Sequence, residues 1–375
     1  MKLKIAFLGP AYPLRGGIAQ FLEIMAHKLS EDHTVKIFSF KKQYPKLLFP
    51  GKDQIDRSDR QFDIETDETL IPYNPFTFIP TAQKINKYAP DVLILKYWIP
   101  FFAVAFGVIL RLLNKKIKVI YVIDNIDFHE KWFAGDLLTK FALKPAAELI
   151  TMSLSVYNDA VKLFPDKKVT LGFHPTYPHF NQNRFTPETA KQKLNLTDKK
   201  VILFFGYIKP YKGLDIIIKA LPQILQKLPE AHLLIVGEVY GSDEIYLNLI
   251  QKLQLQEHIT FVREFVKNED VEQYFRASDV LALPYKQATQ SGVAQVGYNF
   301  GVGSVATPVG GLPELVLHKK TGIVAESISE QDVAKAVIDF FGLDKAELKK
   351  NIAEENKKYS WDKFLEFLTT KTLRL

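Results

Sequence analysis

Short apolar runs alternate with longer amphipathic stretches along the chain. In the first half the apolar runs are Lys4–Leu8, Val35–Phe40, Val92–Lys96, Val119–Ile123, Leu149–Met152 and Val169–Leu171. In the second half they are Val201–Phe205, Leu233–Val236, Ile259–Phe261, Val280–Leu283, Ser304–Ala306 and Ile323–Ala325. Stretches of helical period lie between most of them, for example Ile18–Leu29, Phe101–Leu113, Leu214–Leu228 and Tyr246–Leu253. This alternation is typical of parallel sheets with crossover helices, so the pattern predicts an α/β protein with doubly wound sheets.

The length of 375 residues predicts two domains rather than one. The segment Gly172–Asn195 is rich in His, Pro, Asn and Thr, which marks a linker. We therefore expect Rossmann-like domains at 1–180 and 196–359. Such sheets bind ligands at the carboxyl ends of their strands, so two of them facing each other would form one cleft. The segment Phe40–Tyr73 shows neither helical nor strand period and is predicted to be a long, functional or disordered loop.

Composition excludes several classes of site and segment. The chain contains no cysteine, which excludes disulfides, thiolate metal sites and cysteine nucleophiles and fits a reducing compartment. The N-terminus lacks a secretory signal pattern and is predicted to be a strand. The apolar stretch Ile99–Leu113 is shorter than the ~20 residues that a bilayer span needs, so we expect a buried helix there. The net charge of +7 favours anionic partners such as nucleotides, phospholipids or nucleic acid.

A glycine pair, Gly16 and Gly17, follows the first predicted strand and opens the first predicted helix. Glycine lets a ligand approach the backbone closely, and a helix N-terminus offers N–H groups and positive potential. The pair indicates either a ligand-binding loop or a tight turn required by the fold.

Two lysines follow the first strand of the second half. Lys209 and Lys212 lie in the segment "GYIKPYKGLD" (206–215), and the next helix is predicted to begin at Gly213. Lysines between a strand end and a helix N-terminus suit a diphosphate, although a solvated basic loop has the same composition.

Further turns follow later strands of the same half. They lie in the segments "LPYKQATQSGV" (283–293) and "ATPVGGLPELV" (306–316), and at Thr321 and Gly322. Each is by itself an ordinary turn. Several ligand-competent turns at the strand ends of one sheet together favour a binding site.

These segments, with "RGGIAQF" at 15–21 and "TGIV" at 321–324, resemble those of glycosyltransferase family 4, the group 1 glycosyl transferases. The resemblance extends over almost the whole chain, and the order and spacing of the segments are specific. It implies the GT-B fold of two Rossmann-like domains and a reaction that retains configuration. The segment Ser360–Asp362 resembles the start of a terminal helix that crosses back to the first domain, so 360–375 is assigned to that domain.

The resemblance also implies roles for individual residues. Lys212 matches the lysine that contacts the donor diphosphate. Lys209 is expected to supply a second charge, because Tyr207 stands where the family usually has an arginine. His129 falls near the family's active-site histidine, with a structural loop histidine as the alternative. The expected donor-binding residues are Gly16, Gly17, Gly206, Lys209, Lys212, Thr289, Gln290, Ser291, Gly292, Val293 and Gln295.

One family feature is missing from this sequence. The family usually has two glutamates eight residues apart in the last donor-binding segment. They should fall near Ala288 or Thr289 and near Val296 or Gly297, and none of these residues is acidic. Glutamine can hydrogen-bond sugar hydroxyls but brings no negative charge. We interpret the "ATQSG" segment as a variant of the family pattern.

The expected reaction moves a sugar from a nucleoside-diphosphate sugar to a saccharide or lipid-linked acceptor. Lys212 and Lys209 would stabilise the charge of the departing diphosphate. Because two lysines can neutralise a diphosphate, we expect no metal and no other cofactor. The alternatives are a non-catalytic sugar-nucleotide-binding protein and a GT-B epimerase or phosphorylase. A nucleic-acid binder would need a basic stripe with aromatic platforms, and the sequence shows none.

The acceptor is expected to meet the first domain, in surface polysaccharide or glycolipid assembly. The segment 41–52 interleaves lysines with apolar residues, among them Lys41, Lys42, Lys46 and Phe49. This composition fits contact with an anionic membrane surface or a solvated basic loop. We therefore expect a cytoplasmic protein with a peripheral membrane association. The donor sugar, its base, the acceptor and the linkage do not follow from the sequence.

Overall fold

The computed structural model describes residues 2–45, 51, 53–126 and 134–373. The chain divides into two compact units. The first comprises Met1–Phe173 together with Trp361–Leu375, and the second comprises His174–Ser360. Each unit is built around one parallel sheet, as the alternating pattern predicts.

The first unit contains a seven-stranded sheet. Its strands are β1 (Lys4–Leu8), β2 (Thr34–Phe40), β3 (Thr66–Leu70), β4 (Val92–Tyr97), β5 (Lys118–Ile123), β6 (Glu148–Thr151) and β7 (Val169–Leu171). All pairs are parallel, in the order β3-β2-β1-β4-β5-β6-β7. The connecting helices are α1 (Gly17–Ser30), α2 (Phe78–Tyr88), α3 (Ala103–Arg111), α4 (Gly135–Leu143) and α5 (Leu154–Leu163). Every residue of β4 is buried, which explains its continuous apolar run.

The second unit contains a six-stranded parallel sheet. Its strands are β8 (Lys200–Phe205), β9 (Ala231–Val236), β10 (Ile259–Val262), β11 (Val280–Leu283), β12 (Ser304–Ala306) and β13 (Gly322–Val324), in the order β10-β9-β8-β11-β12-β13. Its helices are α6 (Pro187–Lys193), α7 (Leu214–Lys227), α8 (Glu244–Lys252), α9 (Val271–Arg276), α10 (Gly292–Phe300), α11 (Leu312–Leu315), α12 (Glu330–Phe341) and α13 (Lys345–Asn356). Short 3-10 helices, such as Pro210–Lys212, complete the unit.

The last helix, α14 (Trp361–Lys371), packs within the first unit. The ring of Trp361 lies 5.0 Å from that of Phe21 on α1, and the ring of Phe364 lies 5.9 Å from the same phenylalanine. Beyond the helix, the Thr372 hydroxyl donates to the buried carboxylate of Glu148 at 3.3 Å. The terminal helix is therefore part of the core of the first unit.

The segment Phe40–Tyr73 contains a strand that the sequence pattern misses. β3 pairs in parallel with β2 at the edge of the sheet. Its sequence is Thr-Asp-Glu-Thr-Leu, and only Leu70 is buried. An edge strand needs few apolar side chains because one side faces solvent, so the apolar signal used for the other strands is absent here.

Two other boundaries differ from the sequence-based expectation. The helix after β8 begins at Leu214, because Gly213 adopts a left-handed conformation (φ 68°) that ends the preceding 3-10 turn. The expected linker 172–195 contains α6, which opens with a capping box at Thr186.

The apolar stretch Ile99–Leu113 forms a largely buried helix, as expected, in which Val104 is exposed. Its residues make up the 3-10 turn Pro100–Phe102 and α3. Among the described residues, no helix has both the length and the apolar character that crossing a bilayer requires.

Candidate functional site

The strand order of the second sheet places a crevice beside β8. The chain runs from β8 outward through β9 to β10, and then returns to continue on the other side at β11. The loops that leave the neighbouring strands β8 and β11 therefore lie side by side at the carboxyl edge. Open α/β sheets bind ligands at this kind of switch point. The loops concerned, 206–213 and 284–291, carry most of the residues that the sequence predicts for the donor.

The side-chain nitrogen of Lys212 lies beside the end of β8 and the first turn of α10. A Cβ atom added to Gly206 would lie 3.3 Å from Nζ of Lys212 and 3.3 Å from Cγ2 of Val293. Gly206 has a φ of 97°, a conformation that side chains other than hydrogen disfavour. The glycine thus leaves room at the strand end, and the structure brings Gly206, Lys212 and Val293 together.

The ammonium group of Lys212 is poorly solvated. Desolvation, together with the positive charge of Lys209, lowers the pKa of Lys212 to about 8. Both causes disfavour the charged form while no anion is bound. A diphosphate in contact with this nitrogen would favour the charged form. The site is therefore electrostatically prepared for an anion.

Lys209 lies against aromatic rings at the same edge. Its Nζ is 5.3 Å from the ring centroid of Tyr240, which follows β9. Tyr207 stands at the expected arginine position, and its ring packs 4.8 Å from Tyr240 and 6.0 Å from Phe265. Lys209, the expected second charge, thus lies over the ring of Tyr240, and Tyr207 packs against that ring.

The loops after β8 and β11 are fixed to each other. Gly213 lies so close to the carbonyl group of Pro284 that a Cβ there would clash with it. The backbone N–H of Lys286 donates to the carbonyl oxygen of Tyr211 at 2.7 Å, and the Lys286 ammonium forms an ion pair with Asp215 at 2.9 Å. These contacts hold both sides of the crevice in one geometry.

The N-terminus of α10 completes the arrangement. The hydroxyl oxygen of Ser291 accepts a hydrogen bond from the N–H of Ala294 at 3.3 Å and so caps the helix. The first N–H groups of a helix lack partners within the helix, which makes Gly292 and Val293 suitable anion contacts. Ser291, Gly292 and Val293 therefore lie where the sequence predicts donor-binding residues.

The positions of the missing glutamates are filled by small or apolar buried residues. Ala288 is 8% exposed and Val296 on α10 is 5% exposed. Gln295 is also buried, and among the described residues its side-chain oxygen has no hydrogen-bond partner. Thr289 and Gln290 are half-buried in the loop that precedes α10. Polar groups remain near this segment, but no carboxylate stands at either expected position.

Sequence reasoning missed two residues beside α10. A Cβ on Gly292 would lie 3.6 Å from the hydroxyl oxygen of Tyr177 and 4.0 Å from Nε2 of His174. The Tyr177 hydroxyl lies 3.4 Å from Nε2 of His174, whose Nδ1 lies 2.8 Å from the carbonyl oxygen of Pro175. A carbonyl can only accept, so Nδ1 carries the proton and Tyr177 donates to Nε2. Both residues lie in the segment 172–195, whose high content of His and Pro indicates only a linker in the sequence.

The first unit has its own switch point, between β1 and β4. Gly16 caps α1 with a φ of 117°, and Gly17 is the first residue of that helix. The backbone N–H of Arg15 donates to the carbonyl oxygen of Gln54 at 3.0 Å, so part of the segment Phe40–Tyr73 lies over this loop. The glycine loop is therefore within the first unit, and the donor lysines are within the second.

A buried ion pair lies at the carboxyl edge of the first sheet. Nζ of Lys96, on β4, is 2.9 Å from the carboxylate of Asp124, which follows β5, and 3.5 Å from the ring centroid of Phe21. Desolvation lowers the pKa of Lys96, and the charge of Asp124 opposes this effect. The pair fixes the start of the segment that leads to His129.

Several predicted residues cannot be placed. His129, Lys46 and Phe49 lie outside the described residues. Lys41 and Lys42 are described, and both are exposed directly after β2. Within the described ranges no group of three or more His, Asp or Glu side chains is arranged to hold a metal ion.

Comparisons with known proteins agree with this arrangement. The family model described as "Glycosyl transferases group 1" matches residues 186–359. Spore coat protein SA of Bacillus subtilis is 23% identical over 86% of this chain and 85% of its own length. The GDP-mannose-dependent alpha-(1-6)-phosphatidylinositol monomannoside mannosyltransferase of Mycolicibacterium smegmatis is 24% identical over 87% of this chain and 86% of its own length.

The chain is a glycosyltransferase, and its residues 186–359 match the group 1 glycosyl transferase domain.

The fold of this glycosyltransferase is also found among solved structures. HepE of Anabaena in complex with UDP superposes with a TM-score of 0.75 at 17% identity, covering 98% of this chain and 100% of HepE. This similarity establishes the GT-B class with its two Rossmann-like domains. The family match favours a transferase over the binding-protein, epimerase and phosphorylase alternatives.

Proposed function

We propose that this glycosyltransferase moves a sugar, with retention of configuration, from a nucleoside-diphosphate sugar to a saccharide or lipid-linked acceptor in the assembly of surface polysaccharide or glycolipid. The position of Lys212 carries the proposal. Its ammonium nitrogen lies beside both the end of β8 and the first turn of α10. Two sources of positive potential thus converge at the switch point of the second sheet, which suits a diphosphate.

The relatives support a nucleotide-sugar donor. The similar HepE structure contains UDP, and the mycobacterial relative uses GDP-mannose by its name. Both ligands contain a nucleoside diphosphate, and they differ in the base. The aromatic residues Tyr207 and Tyr240 beside Lys209 provide apolar surface next to the charged groups. We therefore propose a nucleoside-diphosphate sugar as the donor class.

The reaction separates charge. As the bond between the sugar and the diphosphate breaks, negative charge grows on the leaving group. Fixed positive groups lower the barrier because they stabilise charge that is larger in the transition state than in the ground state. Lys212, Lys209 and the first N–H groups of α10 supply these positive groups, and the contacts between the two loops hold them in place.

Retention follows from attack on the face from which the diphosphate leaves. We propose that an oxygen of the departing phosphate takes the proton of the acceptor hydroxyl. This route needs no pair of carboxylates of the kind used in double displacement. We also keep His129 as a proposed active-site residue, on the family resemblance alone.

We propose that the reaction needs no metal ion, because Lys212 and Lys209 can neutralise the diphosphate. We place the enzyme in the cytoplasm, peripherally on the inner face of the membrane. Lys41 and Lys42 are exposed. With Lys46 and Phe49, they would attract the enzyme to anionic lipid, where it would reach a lipid-linked acceptor.

A ligand screen followed by a transfer assay tests the proposal. A ligand that binds the folded protein raises its melting temperature by mass action. Among UDP-, GDP-, ADP- and dTDP-sugars, at least one should raise the melting temperature of the wild type and not that of Lys212→Ala. The same donor should then support transfer to lipid-extract acceptors with release of the nucleoside diphosphate. Stabilisation by no nucleotide sugar, or equal stabilisation of both proteins, would contradict the proposed donor site.

A further inference from the structure

Three helices of the first unit expose large apolar side chains at the same end. Phe76 is 90% exposed, Ile79 57% and Tyr73 39%, at and before the start of α2. Val104 in the first turn of α3 is 47% exposed, and Leu137 in the first turn of α4 is 69% exposed. We call these five residues the rim patch. Phe76, Leu137 and Ile79 have the largest exposures among the apolar residues of the first unit that the structure describes.

The topology brings these residues to one edge. α2 follows β3, α3 follows β4 and α4 follows β5, and all these strands are parallel. Each helix therefore begins at the carboxyl edge of the sheet. α2 packs against α3, and α3 packs against α4. The three helix starts are consecutive neighbours along that edge.

The three rim-patch residues at and before the start of α2 share one side of the chain. Tyr73, Phe76 and Ile79 are spaced three residues apart, and the 3-10 turn Pro75–Thr77 leads directly into the helix. Residues at a spacing of three are neighbours on the surface of such a turn. The Thr77 hydroxyl bonds both the N–H and the carbonyl group of Ile71 at 3.1 Å, which fixes the turn. These side chains are thus held outward by ordered backbone.

The charges around the rim patch identify its partner. No charged residue occurs between Leu70 and Lys84, or between Lys96 and Arg111. The first turns of α2 and α3 contain no acid, although acids are favoured at helix N-termini, and that of α4 contains one, Asp136. Asp136 adjoins Leu137 at one end of the patch, whereas two exposed lysines, Lys41 and Lys42, stand at the other end, where the N–H of Lys41 donates to the carbonyl oxygen of Leu70 at 2.8 Å.

We propose that the rim patch inserts into the interfacial layer of an anionic lipid bilayer, with Phe76 and Ile79 as its deepest side chains. Uncharged apolar surface beside exposed lysines is the pattern of peripheral membrane contacts. Shallow insertion would set this edge of the first unit against the headgroups. The inference extends the proposed function, since it supplies the surface on which a lipid-linked acceptor is met.

The absence of cysteine allows a direct test. Phe76→Cys, labelled with an environment-sensitive fluorophore, should show a severalfold rise and a blue shift of emission with phosphatidylglycerol–phosphatidylcholine vesicles. Ile245→Cys is the matched control, because Ile245 is 65% exposed on α8 of the second unit. Its label should not change. No change at position 76, or equal changes at both positions, would overturn the proposal.

A second experiment separates insertion from electrostatic attraction. The double variant Phe76→Ser and Ile79→Ser should weaken vesicle co-sedimentation by at least about tenfold, and this loss should persist at high salt. Ile245→Ser with Leu247→Ser should bind vesicles like the wild type. Replacing Lys41 and Lys42 with glutamine should remove only the salt-sensitive part of binding.

Sedimentation velocity tests the other possible occupant, a second copy of the chain. If the double variant turns a dimer into a monomer and leaves vesicle binding unchanged, the rim patch is a self-contact and the inference is wrong. Donor binding and transfer to a soluble acceptor should be unaffected by the double variant. If the wild type itself transfers no sugar to any acceptor, the result would instead count against the proposed function.

Discussion

Lys212 and Tyr285 lie on different loops, and the ammonium nitrogen of the lysine is 5.7 Å from the centroid of the tyrosine ring. The Tyr285 hydroxyl is in turn 3.4 Å from the hydroxyl oxygen of Ser291, which caps α10. The buried ring thus connects the lysine after β8 to the start of the helix after β11. This link holds the proposed diphosphate contacts in place before the donor arrives.

Removing the Lys212 ammonium should slow transfer strongly. Losing one preorganised group that stabilises a developing anion costs on the order of 10²–10³ in rate. We expect Lys212→Ala to reduce kcat/KM by about that factor while the protein stays folded. Lys335→Ala is the control, because Lys335 lies on α12 of the same unit and forms an exposed ion pair with Glu326. Near-wild-type turnover in Lys212→Ala would remove this residue from the mechanism.

The pH dependence of transfer should report the same lysine. Because the pKa of Lys212 is lowered to about 8, the free enzyme loses this positive charge as the pH rises through 8. The plot of kcat/KM against pH should therefore fall on the alkaline side with a midpoint near pH 8. Lys212→Arg retains its charge throughout this range, so its decline should begin at higher pH. Calorimetric binding of the nucleoside diphosphate should show the same two profiles. Identical alkaline limbs in both proteins would assign the titration to another group.

Chelation should leave the reaction intact. Lys209 and Lys212 are proposed to balance the diphosphate charge, so activity in excess EDTA should match that in its absence. The comparison should use dialysed protein and a discontinuous assay of sugar transfer. Complete loss that Mg²⁺ or Mn²⁺ restores would show that the lysines do not suffice.

Glu272 should be important for stability rather than for chemistry. This fully buried carboxylate on α9 accepts hydrogen bonds from the N–H groups of Gln182 at 3.2 Å and Arg184 at 3.0 Å. It also lies 3.7 Å from the guanidinium group of Arg276. Glu272→Ala removes the charged acceptor of these N–H groups and the partner of Arg276, which should lower the free energy of unfolding by about 2 kcal/mol.

Chemical denaturation followed by circular dichroism measures this change. Glu230→Ala is the control, because Glu230 forms a surface ion pair with Lys200. Such pairs contribute little, so the control should unfold at the wild-type midpoint. An unchanged midpoint in Glu272→Ala would mean that the segment 182–184 is not held by this carboxylate.

Buried strands could be predicted from sequence because both faces of a parallel sheet are covered. Val280–Leu283 and Ser304–Ala306 have the predicted bounds, and all their residues are buried. Thr66–Leu70 could not be predicted from apolar pattern because it is a polar edge strand. Sequence pattern therefore finds central strands more readily than edges.

The site could be predicted in part for a similar reason. The position of Lys212 follows from its place between a strand and a helix, and the family resemblance supports it. The approach of Tyr177 to Gly292 depends on the path of the chain after β7, which no local pattern contains. The ring cluster around Tyr207 combines Tyr240 and Phe265 from two other loops, so it arises from the strand order rather than from any one segment.

The packing of Trp361 and Phe364 on Phe21 has a consequence for the order in which the units form. The second unit is a continuous segment, so all of its contacts are available once residue 360 has been synthesised. The first unit is discontinuous, and the Phe21 ring gains the contacts of Trp361 and Phe364 only after α14 has left the ribosome. During synthesis, the part of the chain made first is thus completed last. Until then, the face of α1 that carries Phe21 lacks the two aromatic rings that α14 packs against it.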